Sequence, residues 1–269
     1  MPIANINGVD LNYEVSGQGP AVVFLHGYTG STQDWASQVR VLSPQYQVIV
    51  MDHRGHGKSA APSGEEDYSV DILATDTFGL LNMLGIRKCC LGGHSLGGFT
   101  TLQFAVKHQD MLAGLVLVDT SSGQFGRDMD YAQLRQELDH LARTQGMGAA
   151  FEYDAANNPM RGERFQKHPE QREIARQKAL QTSIDGYIYM SRAISKWEPL
   201  TERLPEIKVP TLIFWGDEDL PFDEPSRIMN EGIADSELVT VGGVGHNPHE
   251  EAPDVFNEAL LRFLGRIKW

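Results

Sequence analysis

Cys89-Cys90-Leu91-Gly92-Gly93-His94-Ser95-Leu96-Gly97-Gly98-Phe99-Thr100-Thr101-Leu102-Gln103-Phe104-Ala105-Val106 is the stretch on which the fold of this chain turns. An apolar run leads into Gly93-His94-Ser95-Leu96-Gly97, and a segment of helical character leads out of it. A serine on so tight a strand-to-helix turn needs glycines two positions before and after it, because a Cβ at either place would collide with the adjoining strand or helix. The turn presents Ser95 and sets the N–H of Leu96 at the positive end of a helix. The same five-residue pattern also occurs in ordinary serine-capped glycine turns, so it stands as a hypothesis for the rest of the chain to support.

Composition narrows the classes. The 269 residues, 41% of them hydrophobic, suffice for one large core, or for a core with a smaller appended subdomain. A formal net charge of −13 without a long basic run argues against nucleic acid as a partner. Met1-Pro2-Ile3-Ala4-Asn5-Ile6-Asn7-Gly8 has neither the basic nor the apolar part of a leader, and no apolar run approaches membrane-spanning length. The expectation is a cytoplasmic protein, monomer or homodimer, that does not enter a membrane. Cys89 and Cys90 are the only cysteines. As neighbours in a predicted strand they point to opposite faces, where a bridge between them would be badly strained, so they read as buried thiols.

Strand-like runs alternate with amphipathic helical stretches, the pattern of an α/β protein with a mainly parallel sheet and helices on both faces. Leu11 to Val15 alternates as a strand with one buried face. Val22-Val23-Phe24-Leu25, Val48-Ile49-Val50-Met51, Leu115-Val116-Leu117-Val118 and Leu212-Ile213-Phe214-Trp215 read as doubly buried strands. Helices are predicted over Ser31 to Leu42, Ser69 to Leu84, Leu96 to His108 and Pro253 to Leu264. Between about Ser122 and Leu204 the alternation breaks, and the sequence turns helical, polar and rich in Arg, Gln and Met. Here Leu134, Leu138 and Leu141 are spaced as one buried helical face, and Tyr187, Met190 and Ile194 as another. The expected division is a core of residues 1–121 and 205–269 with a helical insertion, 122–204.

A serine hydroxyl is a poor nucleophile near neutral pH. An imidazole must take its proton, and a carboxylate must hold that imidazole in the right tautomer. In a doubly wound sheet such partners sit just after strands, at their carboxyl ends. Two segments qualify: Leu212 to Asp219, which places acids directly after a strand, and Leu238 to His246, which delivers a histidine on a glycine-rich loop. The chain order Ser95, Asp219, His246 follows. Asp217, expected to fix its turn, and Asp119, after the strand ending at Val118, are the rival acids. His249 follows His246 as His-x-x-His, but no third ligand at zinc-like spacing accompanies it, so no metal site is expected.

These segments resemble the α/β-hydrolase superfamily over nearly the whole chain. His26-Gly27-Tyr28-Thr29-Gly30 with Trp35 resembles its oxyanion loop, and Asp52-His53-Arg54-Gly55-His56-Gly57-Lys58-Ser59 its D-x-x-G-x-G-x-S loop. Leu204 to Thr211 resembles the run into its acid-bearing strand, and Gly245-His246-Asn247-Pro248-His249-Glu250 its histidine loop. The resemblance implies an α/β-hydrolase fold, and its G-D-x-D pattern favours Asp219 as the acid. It also implies an oxyanion hole from the backbone N–H groups of Tyr28 and Leu96, and a helical cap over Ser95. The expected activity is that of a serine esterase or lactonase acting on a small ester or lactone through an acyl-enzyme, with no cofactor. Phe125, Met129, Phe151, Tyr187, Met190 and Trp197 are the expected pocket side chains. C–C bond hydrolases, enol-lactonases, thioesterases and perhydrolases share these motifs, and a non-turnover small-molecule receptor is the alternative of another class.

Overall fold

Strands that are apolar on every position need cover on both faces, and that demand organises the fold. The structure, a computed structural model, describes residues 2–123, 131–158 and 165–269. Eight strands form one sheet: β1 (Ile3–Ile6), β2 (Val9–Ser16), β3 (Ala21–Leu25), β4 (Gln47–Met51), β5 (Cys89–His94), β6 (Leu112–Val118), β7 (Thr211–Gly216) and β8 (Ser236–Val241). Their order is β1-β2-β4-β3-β5-β6-β7-β8. β2 runs antiparallel to β1 and β4, and every other neighbouring pair is parallel.

Ten helices are labelled here in chain order: α1 (Ala36–Leu42), α2 (Val70–Met83), α3 (Leu96–His108), α4 (Tyr131–Gln145), α5 (Met147–Asn157), α6 (Pro169–Leu180), α7 (Ile184–Ser195), α8 (Asp223–Gly232), α9 (Pro248–Glu251) and α10 (Pro253–Leu264). Alternate strand residues feed two separate cores. Val23, Leu25, Ile49, Met51, Leu91, Leu115, Leu117 and Ile213 pack with α2, α3 and α8. Val22, Phe24, Val48, Val50, Val116, Val118, Leu212 and Phe214 pack with Leu42 of α1 and with Phe256, Leu260 and Phe263 of α10. Cys89 belongs to the first core and Cys90 to the second, both as free, buried thiols.

Local chemistry sets the element ends. Ser69 caps α2 by accepting from the Ile72 N–H at 3.0 Å, a contact worth about 1 kcal/mol. Pro169 and Pro253 open α6 and α10, where a missing N–H costs nothing. Two elements differ from expectation. The segment predicted as a helix from Ser31 opens as a 3-10 turn, Thr32–Trp35, before α1. Ile3–Ile6, read above only for its lack of leader character, is an edge strand, because Asn7-Gly8 takes φ of 52° and 82° and closes a two-residue hairpin onto β2.

The connection from β6 to β7 contains α4 to α7. α7 is seated on the sheet domain by a close backbone approach: a Cβ on Gly186 would fall 2.5 Å from the Gly55 carbonyl oxygen. That carbonyl accepts from the Ser183 N–H at 2.9 Å and the Ser183 hydroxyl at 3.0 Å. Met190 then packs with Tyr68, Val70, Leu73, Leu96 and Phe99. No helix among the described residues is long and apolar enough to cross a membrane.

Candidate active site

Ser95 sits between β5 and α3 with φ 50° and ψ −113°, a conformation that a residue with a Cβ adopts at a cost of about 1–3 kcal/mol. The surroundings hold it there. Its N–H donates to the Val118 carbonyl at 2.9 Å, and its carbonyl accepts from Gly98 N–H at 2.9 Å and the Thr120 hydroxyl at 2.8 Å. The flanking glycines are dictated by contact: a Cβ would fall 2.1 Å from the Gly97 oxygen at Gly93, and 2.2 Å from the Leu25 oxygen at Gly97.

β3 and β5 are neighbouring parallel strands, with Leu25 opposite Gly93, so the loops after them emerge side by side. Gly27 lets the first loop close on the second, since a Cβ there would fall 2.6 Å from His94 Nδ1. Among the described residues, no acceptor takes the backbone N–H of Tyr28 or of Leu96. Below this loop the Asp52 carboxylate gathers the Thr32 N–H at 2.6 Å, the Lys58 N–H at 2.8 Å and the Asn12 amide at 2.8 Å. Burial keeps His26 well below the usual imidazole range, and lowers His53 to about 3 and His56 to about 4. These three are therefore neutral scaffold. The His26 ring receives the His53 N–H on Nε2 at 2.9 Å and gives its Nδ1 proton to the Gly27 carbonyl at 2.7 Å.

Asp219 follows β7 and His246 follows β8, and the structure brings the two together: Asp219 Oδ2 lies 2.6 Å from His246 Nδ1. The Asp219 side chain is 6% exposed and that of His246 32%. The bond fixes the proton on Nδ1 and leaves Nε2 as the nitrogen that can take one. Asp219 is set by the Trp215 indole N–H, which donates to its carbonyl at 3.0 Å. Phe222 lies beside the imidazole, ring centres 5.0 Å apart. Of the rival acids, Asp217 accepts from the Gly243 N–H at 2.7 Å and Asp119 from the Gly216 N–H at 3.1 Å. Both tie backbone to backbone.

Glu251 takes part without having been anticipated, and His94, read from the sequence as a structural residue of the serine turn, fastens the site together. His94 Nε2 donates to the His246 carbonyl at 2.6 Å, which fastens the histidine loop to the residue just before Ser95. Burial, with His246 and His249 nearby, holds His94 well below the usual imidazole range, so it acts as a neutral donor. The Glu251 carboxylate takes the Gly245 N–H at 3.0 Å and the Asn247 N–H at 2.9 Å, one on each side of His246. Glu251 was detectable in principle, as an acid shortly after a glycine-rich loop.

The expected pocket residues fall in different places. Tyr187 stacks on Tyr28 with ring centres 5.3 Å apart, and half-buried Trp197 stacks on Phe99 at 4.9 Å. Met190 is buried against Leu96 and Phe99. Phe151 lies buried on α5, its ring 6.0 Å from that of Phe165. Phe125 and Met129 lie outside the described residues. Among the described residues no group of three His, Cys, Asp or Glu side chains is placed to hold a metal. His249 instead stacks on Trp35 at 4.3 Å.

A partly buried ionic cluster joins α6 to the 3-10 turn and to α9. Lys178 donates to the Glu250 oxygens at 2.6 and 2.7 Å and lies 3.1 Å from Asp34 Oδ1. Burial pushes the Asp34 carboxyl up to about 7, with Lys178 pulling the other way. An acid whose folded pKa is raised binds more protons folded than unfolded, so its contribution to stability falls as pH rises from the ordinary carboxylate range toward that pKa. Lys178→Met removes the opposing charge and extends this window upward. The variant is expected to be modestly less stable than wild type at pH 6 and more so at pH 8.5, the gap growing by at most about 1.4 kcal/mol per added pH unit and read as a growing lag in melting temperature. A gap that stays constant with pH would contradict the assignment.

The family model described as alpha/beta hydrolase fold matches residues 20–253. The 2-hydroxy-6-oxo-6-phenylhexa-2,4-dienoate hydrolase of Comamonas testosteroni is 28% identical over 276 residues, covering 94% of this chain and 91% of its own length. Among solved structures, the enol-lactonase from Burkholderia xenovorans LB400 superposes with a TM-score of 0.85 at 28% identity, over 98% of this chain and 100% of that one. A thermophilic esterase from Thermogutta terrifontis with malate bound gives 0.87 at 29% identity, over 99% of either chain. The family match runs from the start of β3 to the opening of α10 and so takes in every loop that builds this site: the chain belongs to the alpha/beta hydrolase fold family.

Proposed function

We propose that this hydrolase cleaves a small carboxylic ester or lactone through an acyl-enzyme, with Ser95 as nucleophile. His246 Nε2 takes the hydroxyl proton as Ser95 Oγ attacks the carbonyl carbon, and returns it to the departing alkoxide oxygen. Water, deprotonated by the same nitrogen, then attacks the acyl carbon and releases the acid, with the proton restored to Ser95. Asp219 holds the imidazole in its tautomer and stabilises its cation. The backbone N–H groups of Tyr28 and Leu96 receive the carbonyl oxygen as it gains charge, a role in which one donor is worth about 10²–10³ in rate. α4 to α7 form the cap that encloses the substrate, on a core of residues 1–121 and 205–269.

The observation that carries this reading is the 2.6 Å bond between Asp219 and His246, on a loop fastened through His94 to the serine turn. Likeness to an enol-lactonase and an esterase supports ester or lactone chemistry. Likeness to a hydrolase of a phenylhexadienoate favours C–C bond cleavage as the second reading, with the same residues. A fluorophosphonate probe tests the nucleophile directly. Incubation at neutral pH is expected to add one phosphonyl group to the peptide that contains Ser95, and to abolish hydrolysis of p-nitrophenyl butyrate in proportion. Full activity after complete labelling, or labelling confined to another residue, would remove Ser95 from the role. A receptor without turnover would show no hydrolysis to abolish.

A further inference from the structure

Arg135, on α4, is a half-buried cation held by neutral groups. Among the described residues no carboxylate lies within ion-pair distance of its guanidinium, whereas Arg54, Arg172, Arg176 and Arg203, the other arginines partly withdrawn from water, each pair with one. The contrast is sharp in a chain with 36 acidic and 23 basic residues. Burying a charge is costly unless it is paired, so a half-buried guanidinium with no ion-pair partner among the described residues is a place where an anion would be favoured.

Its surroundings leave it poised. Nη1 donates to the Ser191 hydroxyl at 2.7 Å, and longer contacts reach the Tyr28 hydroxyl at 3.4 Å and the Tyr187 hydroxyl at 3.5 Å. The guanidinium carbon lies 5.7 Å from the centre of the Tyr28 ring and 5.4 Å from that of Tyr187. Arginine carries five N–H donors in a planar fork, and one good neutral acceptor leaves most of them unused. Asp154, whose field reaches Arg135, accepts from the Asn158 amide at 3.0 Å.

The position is as telling as the charge. Tyr28 belongs to the loop whose backbone N–H is assigned above to the carbonyl oxygen, and its side chain runs from there to the guanidinium. A group bound by Arg135 therefore lies one tyrosine side chain away from the reacting carbonyl. We infer that Arg135 receives a free carboxylate of the substrate, so that the ester or lactone cleaved at Ser95 is anionic. The inference rests on the hydrolase reading for the bond that breaks, but not for the binding of the anion. Carboxylate and guanidinium match as a two-point fork, which a lysine cannot reproduce. In so acidic a chain, a local cation is also what offsets the general repulsion of an anionic ligand.

Two p-nitrophenyl esters of the same length test it: the hemiglutarate, with a free carboxylate, and its neutral methyl ester. Wild type is expected to favour the charged ester in kcat/KM. Arg135→Met should lower the charged-to-neutral ratio by about 10- to 100-fold, the range of a charge-assisted hydrogen bond, and Arg135→Lys should recover part of it. A merely structural arginine, clamping two aromatic rings, would cost both esters equally and leave the ratio unmoved. A second measurement needs no turnover: glutarate should raise the melting temperature of Ser95→Ala, and fail to do so when Arg135→Met or Arg135→Lys is added. An unchanged ratio together with an undiminished glutarate shift in the double variants overturns the inference. Wild type inert toward both esters, with the Arg135-dependent glutarate shift intact, would refute the ester reading and uphold the anion site.

Discussion

Alanine at Ser95 is expected to lower kcat for p-nitrophenyl ester hydrolysis by about 10⁵–10⁶, the scale on which removing a nucleophilic serine acts. Substrate binding should change little, since the hydroxyl contributes to bond formation and not to the walls around it. Glycine at the same position separates chemistry from strain. Both variants lack the hydroxyl, but only glycine adopts φ 50° freely. Ser95→Gly should therefore be as inactive as Ser95→Ala, yet more stable than wild type by about 1 kcal/mol, or roughly 2–4 °C in melting temperature. Gain of stability with loss of activity marks a conformation that is kept for function. Alanine turning over at a tenth of the wild-type rate, confirmed by mass as free of wild type, would remove Ser95 from the mechanism.

The frame around this serine was legible because its residues are dictated locally. Gly93 and Gly97 are required by contacts under 2.5 Å that any Cβ would make, and a requirement of that kind is written into the chain within five residues. The bounds of α3 and α10, Leu96–His108 and Pro253–Leu264, match those expected. β1 is short and lies at the sheet edge, and its one strong signal is the hairpin dipeptide Asn7-Gly8 that follows it.

What stayed hidden is what depends on distant side chains converging. The His94 to His246 contact joins positions 152 apart, and Arg135 to Ser191 joins positions 56 apart. Helical period told that Leu138 and Tyr187 would be buried, and they are. It carried no information on how α4 lies across Tyr28, which follows from the backbone contact of Gly55 with Gly186 and from rings that stack only once the chain has folded. The same distinction separates the three acids. Asp217, Asp219 and Asp119 all stand at carboxyl ends of strands, and only the fold reveals which one an imidazole meets.

That difference among the acids leads to the second large effect expected. Asp219→Asn keeps size and shape, so folding should be preserved, but the residue facing His246 Nδ1 at 2.6 Å can now present an N–H. An amide donor there favours the tautomer with its proton on Nε2, which cannot accept the proton of Ser95. The expected fall in kcat is about 10⁴, the scale set by such a tautomer error. Asp217→Asn and Asp119→Asn keep the oxygen that takes the Gly243 and Gly216 N–H groups, and Asn tolerates the φ of 37° at position 119. Their kcat should stay within about threefold of wild type, because each variant keeps the backbone hydrogen bond that its carboxylate makes and neither replaces the Asp219 oxygen that meets His246. Steady-state kinetics on the three variants, with proton NMR following the Nδ1 resonance of His246, decides among them. A loss of 10⁴ that appears at position 119 or 217 in place of 219 would move the acid to another strand, and the orientation of the imidazole would have to be derived anew from there.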